Sequence, residues 1–207
     1  MLSAGNPFPN FSLPNQDGKT VTLSDFAGQW LVIYFYPKDD TPGCTIQAKS
    51  FTATKADFDA AGVRVIGVSG DDVASHKNFC NKFAFTIDLL SDTGGSLMKS
   101  LGIGQAEWKG MKFWERSSFV VDPKGVIRAL LYYPLSLGRN IAEIVRVFDA
   151  LQTADANACS TPANWVPGKP VMVPAPLSKQ DADARVKSNG DLKVTDWYFA
   201  QRELVAK

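Results

Sequence analysis

Cysteine and histidine are scarce in this chain: Cys44, Cys80 and Cys159 are its three cysteines and His76 its one histidine, in 207 residues. Three cysteines do not make a disulfide framework, and there is no C-x-x-C or H-x-x-H spacing to hold a metal such as zinc. Neither sign of charge is in excess, with 22 Lys and Arg against 21 Asp and Glu. That balance speaks against nucleic acid or a membrane surface as a partner. A continuous apolar run of about 18 residues, the minimum for a membrane-crossing helix, is also missing. The opening "MLSAGNPFPNF" lacks the basic and apolar stretches of a signal peptide. The expected address is therefore cytoplasmic, where cysteines are free, catalytic or redox-cycling rather than structural. The 45% hydrophobic and 21% charged content is ordinary for a globular protein, with room for one buried domain plus an appendage, or two small domains.

Periodicity organises the chain. "WLVIYFY" (30–36) and "VRVIGVS" (63–69) read as strands buried on both faces. Between them, apolar residues at steps of three and four predict a helix over roughly 43–61, giving a β-α-β unit with parallel pairing. "DDVASHKNFCNKF" (71–83) predicts a helix opened by the Asp71-Asp72 pair, and a shorter one is expected around 93–101. "SSFVVD" and "VIRALLYY" flank a "PKG" turn and read as a hairpin, and 137–151 reads as an amphipathic helix. The expected class is α/β, a mixed central sheet flanked by helices, over residues 1–152. Residues 153–207 are proline-rich and read as an extended arm anchored by Trp165, Val171, Trp197 and Tyr198, packing on a partner subunit.

The chemistry concentrates in "YPKDDTPGCT" (36–45), which sets Cys44 behind a turn and in the first turn of a helix. A free thiol titrates at about 8.5. Unpaired N–H groups at a helix N-terminus, helped by a nearby cation, bring a cysteine down to roughly 3.5–7.5, so that thiolate dominates. Thr41 offers a hydroxyl to the sulfur or to a ligand, while Pro37 and Pro42 shape the loop and limit water.

These residues resemble the peroxiredoxins, and most closely their Q type, the bacterioferritin comigratory proteins. The shared pattern is P-x-x-x-T-x-x-C, here Pro37, Thr41 and Cys44; "VIGVSGDDVASHKNFCNKF", "LLSDTGGSLMKSLGI" and "ERSSFVVDPKGVIR" extend the likeness over about residues 5–152. The resemblance implies a thioredoxin-like fold and thiol-dependent reduction of hydrogen peroxide and organic hydroperoxides, with no metal and no organic cofactor. By the same likeness Cys44 is the peroxidatic cysteine, which becomes a sulfenic acid. Thr41 bonds the peroxide, Pro37 shields the sulfur, Arg116 of "RSSF" stabilises thiolate and transition state, and Gln47 supports.

Many Q-type members carry a resolving cysteine five residues after the peroxidatic one, but Lys49 stands there. A Q-type subgroup places it instead in the next helix, which makes Cys80 the candidate. A disulfide needs Cα atoms within about 7 Å, so the Cys44 turn is expected to unwind first. From about 153, "TADANACSTPANWVPGKPVMVPAP" and "DWYFAQREL" resemble the arm of one-cysteine and archaeal peroxiredoxins, which reaches across a homodimer. Thioredoxin, glutaredoxin or a small thiol is the implied reductant. Two other readings stand beside this one: a one-cysteine mechanism in which an external thiol meets the Cys44 sulfenic acid, and a non-catalytic chaperone or binding protein of the same fold. Cys80 also reads as a small core residue, Cys159 as either a resolving or an exposed thiol, His76 as solvated, and Trp108 and Trp114 as loop packing.

Overall fold

A computed structural model describes residues 2–187 and 190–204 of the chain. It divides into two units, Met1–Ile141 and Ala142–Lys207. Among the described residues no helix is long and apolar enough to cross a membrane.

The first unit opens with an antiparallel pair, β1 (Ser12–Pro14) and β2 (Thr20–Thr22), and a single 3-10 turn. There follow β3 (Trp30–Phe35), α1 (Pro42–Ala53), α2 (Lys55–Ala60), β4 (Val63–Ser69), α3 (Val73–Phe83), β5 (Asp88–Ser91) and α4 (Ser96–Ser100). A hairpin of β6 (Gln105–Trp108) and β7 (Met111–Trp114) leads into β8 (Arg116–Val121) and β9 (Ile127–Tyr133). The central five-stranded sheet has the order β5-β4-β3-β8-β9, with β3, β4 and β5 parallel and β8 antiparallel to both its neighbours. This is the expected mixed sheet.

Strand β3 is buried on both faces, which explains its unbroken apolar run. Leu31, Ile33 and Phe35 join the core cluster of Phe8, Val68 and Phe119. On the opposite face Tyr34 stacks on Phe51 of α1, ring centroids 4.4 Å apart. Cys44, Gln47, Ala48 and Phe51 form the buried stripe of α1 at steps of three and four. The stack on Phe51 therefore fixes which way the first turn of α1 presents Cys44.

The structure departs from the expected elements in several places. The helix read over 43–61 is two helices, because at Thr54 the backbone leaves the helical region (φ −91, ψ 3). Thr54 Oγ1 donates to the Ser50 carbonyl at 2.6 Å, a local bond that competes with the helical ladder. Strand β5 has only four residues, too few for a period to show. The β6–β7 hairpin turns at Lys109-Gly110, both at positive φ (51 and 76), the mirror-image turn that suits strand twist. His76 is not solvated: it lies wholly buried on the α3 face that also carries Phe79 and Cys80. Asp72 does start that helix, accepting a bond from the Ser75 N–H at 2.8 Å.

In the second unit, α5 (Ile141–Asn157, its first residue counted with the first unit) runs past the expected end. The proline-rich stretch beyond it is less extended than expected. It includes β10 (Val171–Val173), α6 (Lys179–Lys187), β11 (Lys193–Asp196) and β12 (Phe199–Arg202), with an antiparallel sheet of order β10-β12-β11. The prolines lie outside these strands, where no ladder N–H is needed. Trp165 and Val171 anchor a small core with Ala150, while Trp197 and Tyr198 stay exposed at the β11–β12 turn.

Gly67 faces Tyr34 across the β3–β4 pair, and a Cβ there would lie 2.7 Å from the phenol Cζ and 2.8 Å from Leu89 Cδ2. Gly67→Ala is expected to destabilise the fold by about 1–3 kcal/mol through overpacking, read as a lower urea midpoint. An unchanged midpoint would show that Tyr34 is free to move.

Candidate active site

Thr41 is the N-cap of α1, with extended backbone (φ −97, ψ 145), and Pro42, which has no N–H to leave unpaired, opens the helix. Cys44 is thus its third residue, and the N–H groups of Gly43 and Cys44 precede the first intrahelical bond, from Thr45 to the Thr41 carbonyl at 2.9 Å. The sulfur side chain is buried, with 1% of its residue surface exposed.

The sheet brings Arg116 to this sulfur. Phe35 pairs with Ser117, so Arg116, one residue earlier on the antiparallel strand, comes level with the point where β3 ends and the Cys44 loop begins. Its Nη1 donates to Cys44 Sγ at 3.4 Å, and its Nε donates to the Leu135 carbonyl at 3.0 Å. Gly43 leaves room for the guanidinium, since a Cβ there would stand 3.2 Å from Arg116 Nη2.

A second buried guanidinium lies close by, one the sequence reading passed over. Arg139 donates to the carbonyls of Phe35 and Ser117, the latter at 2.7 Å, and to Gln47 Oε1. Its guanidinium carbon stands 5.7 Å from the centre of the Tyr34 ring. Burial and the neighbouring Arg116 cation push Arg139 down to about 9, so it remains charged at neutral pH. Gln47 thus acts as the acceptor that ties α1 to Arg139. A signal for Arg139 was present in "LGRN": a cation just before a helix N-terminus faces the unfavourable end of the dipole and needs carbonyl partners to hold it.

Thr41 Oγ1 donates to the Lys38 carbonyl at 3.2 Å rather than to the sulfur. Its oxygen lone pairs are left to accept from a ligand. Pro37, Thr41, Gly43, Arg116 and Leu135 line a cavity of about 340 Å³, together with Trp108 and Phe113 from the β6–β7 hairpin. Trp108 is therefore a wall of this cavity and not loop packing, whereas Trp114 packs against the core cluster.

Cys80 is a free, buried thiol on α3. Burial, then the charge of Asp39, pushes it up to about 12, so it stands protonated at neutral pH. Cys159, in the second unit, is likewise free and raised by burial.

Comparison with known proteins agrees with this geometry. Residues 4–130 match the AhpC/TSA family, and residues 150–189 match the C-terminal domain of 1-Cys peroxiredoxin. "Peroxiredoxin 2" of Caldanaerobacter subterraneus subsp. tengcongensis is 36% identical over 97% of this chain and 92% of its own length. The chloroplastic peroxiredoxin Q of Triticum aestivum is 41% identical over 72% of this chain and 68% of its own. A solved structure of the yeast mitochondrial 1-Cys peroxiredoxin, described for its thiol resolving mechanism through glutathione and thioredoxin systems, superposes with a TM-score of 0.84 at 28% identity, covering 99% of this chain and 100% of that one. Both expected likenesses, Q-type front and one-cysteine arm, are thus found, and the fold is the thioredoxin-like fold of these enzymes. The chain belongs to the AhpC/TSA family of peroxiredoxins, thiol-dependent peroxidases.

Proposed function

We propose that Cys44 is the peroxidatic sulfur of this peroxidase, with Arg116, Thr41 and Pro37 completing the site. The observation that carries this reading is the Arg116 Nη1 to Cys44 Sγ contact of 3.4 Å at the edge of the cavity lined by Pro37 and Thr41. A thiolate is the stronger acceptor for a guanidinium N–H, and thiolate is the nucleophile. Its sulfur attacks the distal oxygen of ROOH, the O–O bond breaks, and Cys44 becomes a sulfenic acid while RO⁻ leaves and takes a proton to give ROH. Arg116 follows the charge as it moves from sulfur to the leaving oxygen, a transition-state interaction rather than a uniform binding one. Thr41, already donating to Lys38, accepts from the peroxide O–H. The apolar walls Trp108, Phe113 and Leu135 accommodate the R group of organic hydroperoxides as well as hydrogen peroxide.

For the second half-reaction, Cys80 displaces water from the sulfenic acid to give a Cys44–Cys80 disulfide. Thioredoxin, glutaredoxin or a small thiol then returns two electrons, in the reducing cytoplasm that suits three free thiols. The match of residues 150–189 to the 1-Cys C-terminal domain favours a second reading, in which an external thiol meets the sulfenic acid directly. The exposed Leu177, Val186, Trp197 and Tyr198 of the second unit suit an arm that covers a partner subunit in a homodimer.

Non-reducing peptide mass spectrometry after one equivalent of peroxide tests the assignment. A Cys44–Cys80 linked peptide is expected, and a mixed adduct on Cys44 alone would favour the external thiol. Cys44→Ser is expected to abolish peroxide consumption, and retained turnover would also admit a non-catalytic role for this cysteine. Because Cys80 is held as a thiol inside α3, disulfide formation is expected to follow opening of the helix. Its stopped-flow rate should then level off in the ordinary thiol range, at about 8.5. A rate still climbing towards about 12 would mean that Cys80 attacks from the closed helix.

A further inference from the structure

The loop between β3 and α1 carries Pro37 and Thr41, and its one buried acidic side chain is Asp39. Asp39 Oδ1 accepts from the Tyr36 hydroxyl at 2.8 Å, and Oδ2 accepts from Ser75 Oγ and faces His76 Nδ1, each at 2.8 Å. The other ring nitrogen of His76, Nε2, lies 3.2 Å from the Leu90 carbonyl of β5. Both ring nitrogens of His76 thus face oxygen atoms, a carboxylate on one side and a carbonyl on the other. The result is a buried hydrogen-bonded pair between the loop and α3, with Tyr36, just past the end of β3, closing it. The Asp39 N–H adds a bond to Asp71 Oδ2 at 2.9 Å, and Asp71 in turn accepts from Ser69 at the end of β4.

The next residue of the loop is strained. Asp40 has φ +52, a left-handed conformation costly for a residue with a side chain. Such a shape persists only where its surroundings impose it, and Thr41 follows immediately. Rings, hydroxyls and carboxylates all converge on Asp39, one residue before the strained point, so the clasp holds the backbone that aims Thr41.

We propose that Asp39 and His76 are positioning residues of the peroxide reaction: their buried hydrogen-bonded pair holds the 37–41 loop, and with it Pro37 and Thr41, over Cys44. His76 also stands one helical turn before Cys80 on the same buried face, so the clasp docks the Cys80-bearing helix beside the reacting loop. The inference rests on Cys44 being the peroxidatic sulfur.

The test compares two second-order rates at Cys44: oxidation by hydrogen peroxide, which uses Thr41 and Pro37, and alkylation by iodoacetamide, which uses neither. In Asp39→Asn and in His76→Gln, peroxide oxidation should fall about 30-fold, the scale of a misplaced contact near 1 Å, while alkylation changes less than about threefold. The double variant should lose no more than either single one, because the pair acts as a unit. Multiplicative losses, parallel losses in both rates, or peroxide rates within about twofold of the natural chain would overturn the proposal. Ser75→Ala removes one bond to Asp39 from a half-exposed position and should slow only the peroxide rate, by about threefold. Should the Asp39 and His76 variants fail to fold, an unchanged peroxide rate in Ser75→Ala would overturn it. Peroxide turnover in Cys44→Ser would instead sink the assignment of Cys44 itself.

Discussion

Two guanidinium groups stand beside one short helix, Arg116 buried at its first turn and Arg139 at Gln47 one turn further on, and a single sulfur accepts from the first. Taking a cation out of water is costly unless carbonyls, an anion or both replace the solvent. Leu135 supplies a carbonyl to Arg116, and Phe35 and Ser117 supply carbonyls to Arg139. Those carbonyls satisfy N–H groups without neutralising any charge. The like-charge pressure shows in Arg139, lowered by burial and by Arg116. Within that arrangement the Cys44 sulfur accepts from Arg116 Nη1 at 3.4 Å, the place beside the guanidinium where the proposed thiolate would offset what the carbonyls cannot. The helix N-terminus, the absent side chain at Gly43 and the register that brings Arg116 level with the end of β3 all serve to place that sulfur.

Much of this was legible in the residues. The apolar run of β3, its stop at Pro37 and the helical stripe from Cys44 to Phe51 each follow from local pattern, and together they put a thiol at a helix start beyond a buried strand. What local pattern does not carry is pairing across the sheet. Arg116 came from the family likeness, since only the β3–β8 register brings it to the sulfur. Arg139 was passed over for the same reason: its partners, Phe35, Gln47 and Ser117, lie far off in sequence. From sequence His76 reads as solvated, because a lone polar ring on an amphipathic helix usually is. It is buried because Asp39 and Leu90, one distant and one on an unread strand, satisfy both its nitrogens.

The two halves of the catalytic cycle place opposite demands on the same region. On the proposed assignment, the peroxide step asks for a fixed loop and for the Cys44 sulfur to stay buried beside Arg116. The proposed Cys44–Cys80 resolution asks for one of these two buried thiols to come out. A helix with a weak start answers both: α1 has no side-chain cap at Thr41 and breaks again at Thr54, so it is short and held chiefly by its buried face. On the proposed assignment, oxidation of Cys44 alters the sulfur that Arg116 Nη1 contacts at 3.4 Å, and so the tie between α1 and Arg116. On this account the chemistry itself loosens the turn that the next step must open.

The most direct measurement is single-turnover oxidation of Cys44 by hydrogen peroxide in Arg116→Gln, compared with the natural chain at a pH high enough to ionise the thiol in both. A loss of about 10²–10³-fold that persists there is the predicted result, because the guanidinium acts on the breaking O–O bond as well as on the sulfur. Equal rates at that pH would contradict the account, leaving Arg116 a neighbour of the sulfur with no part in the transition state.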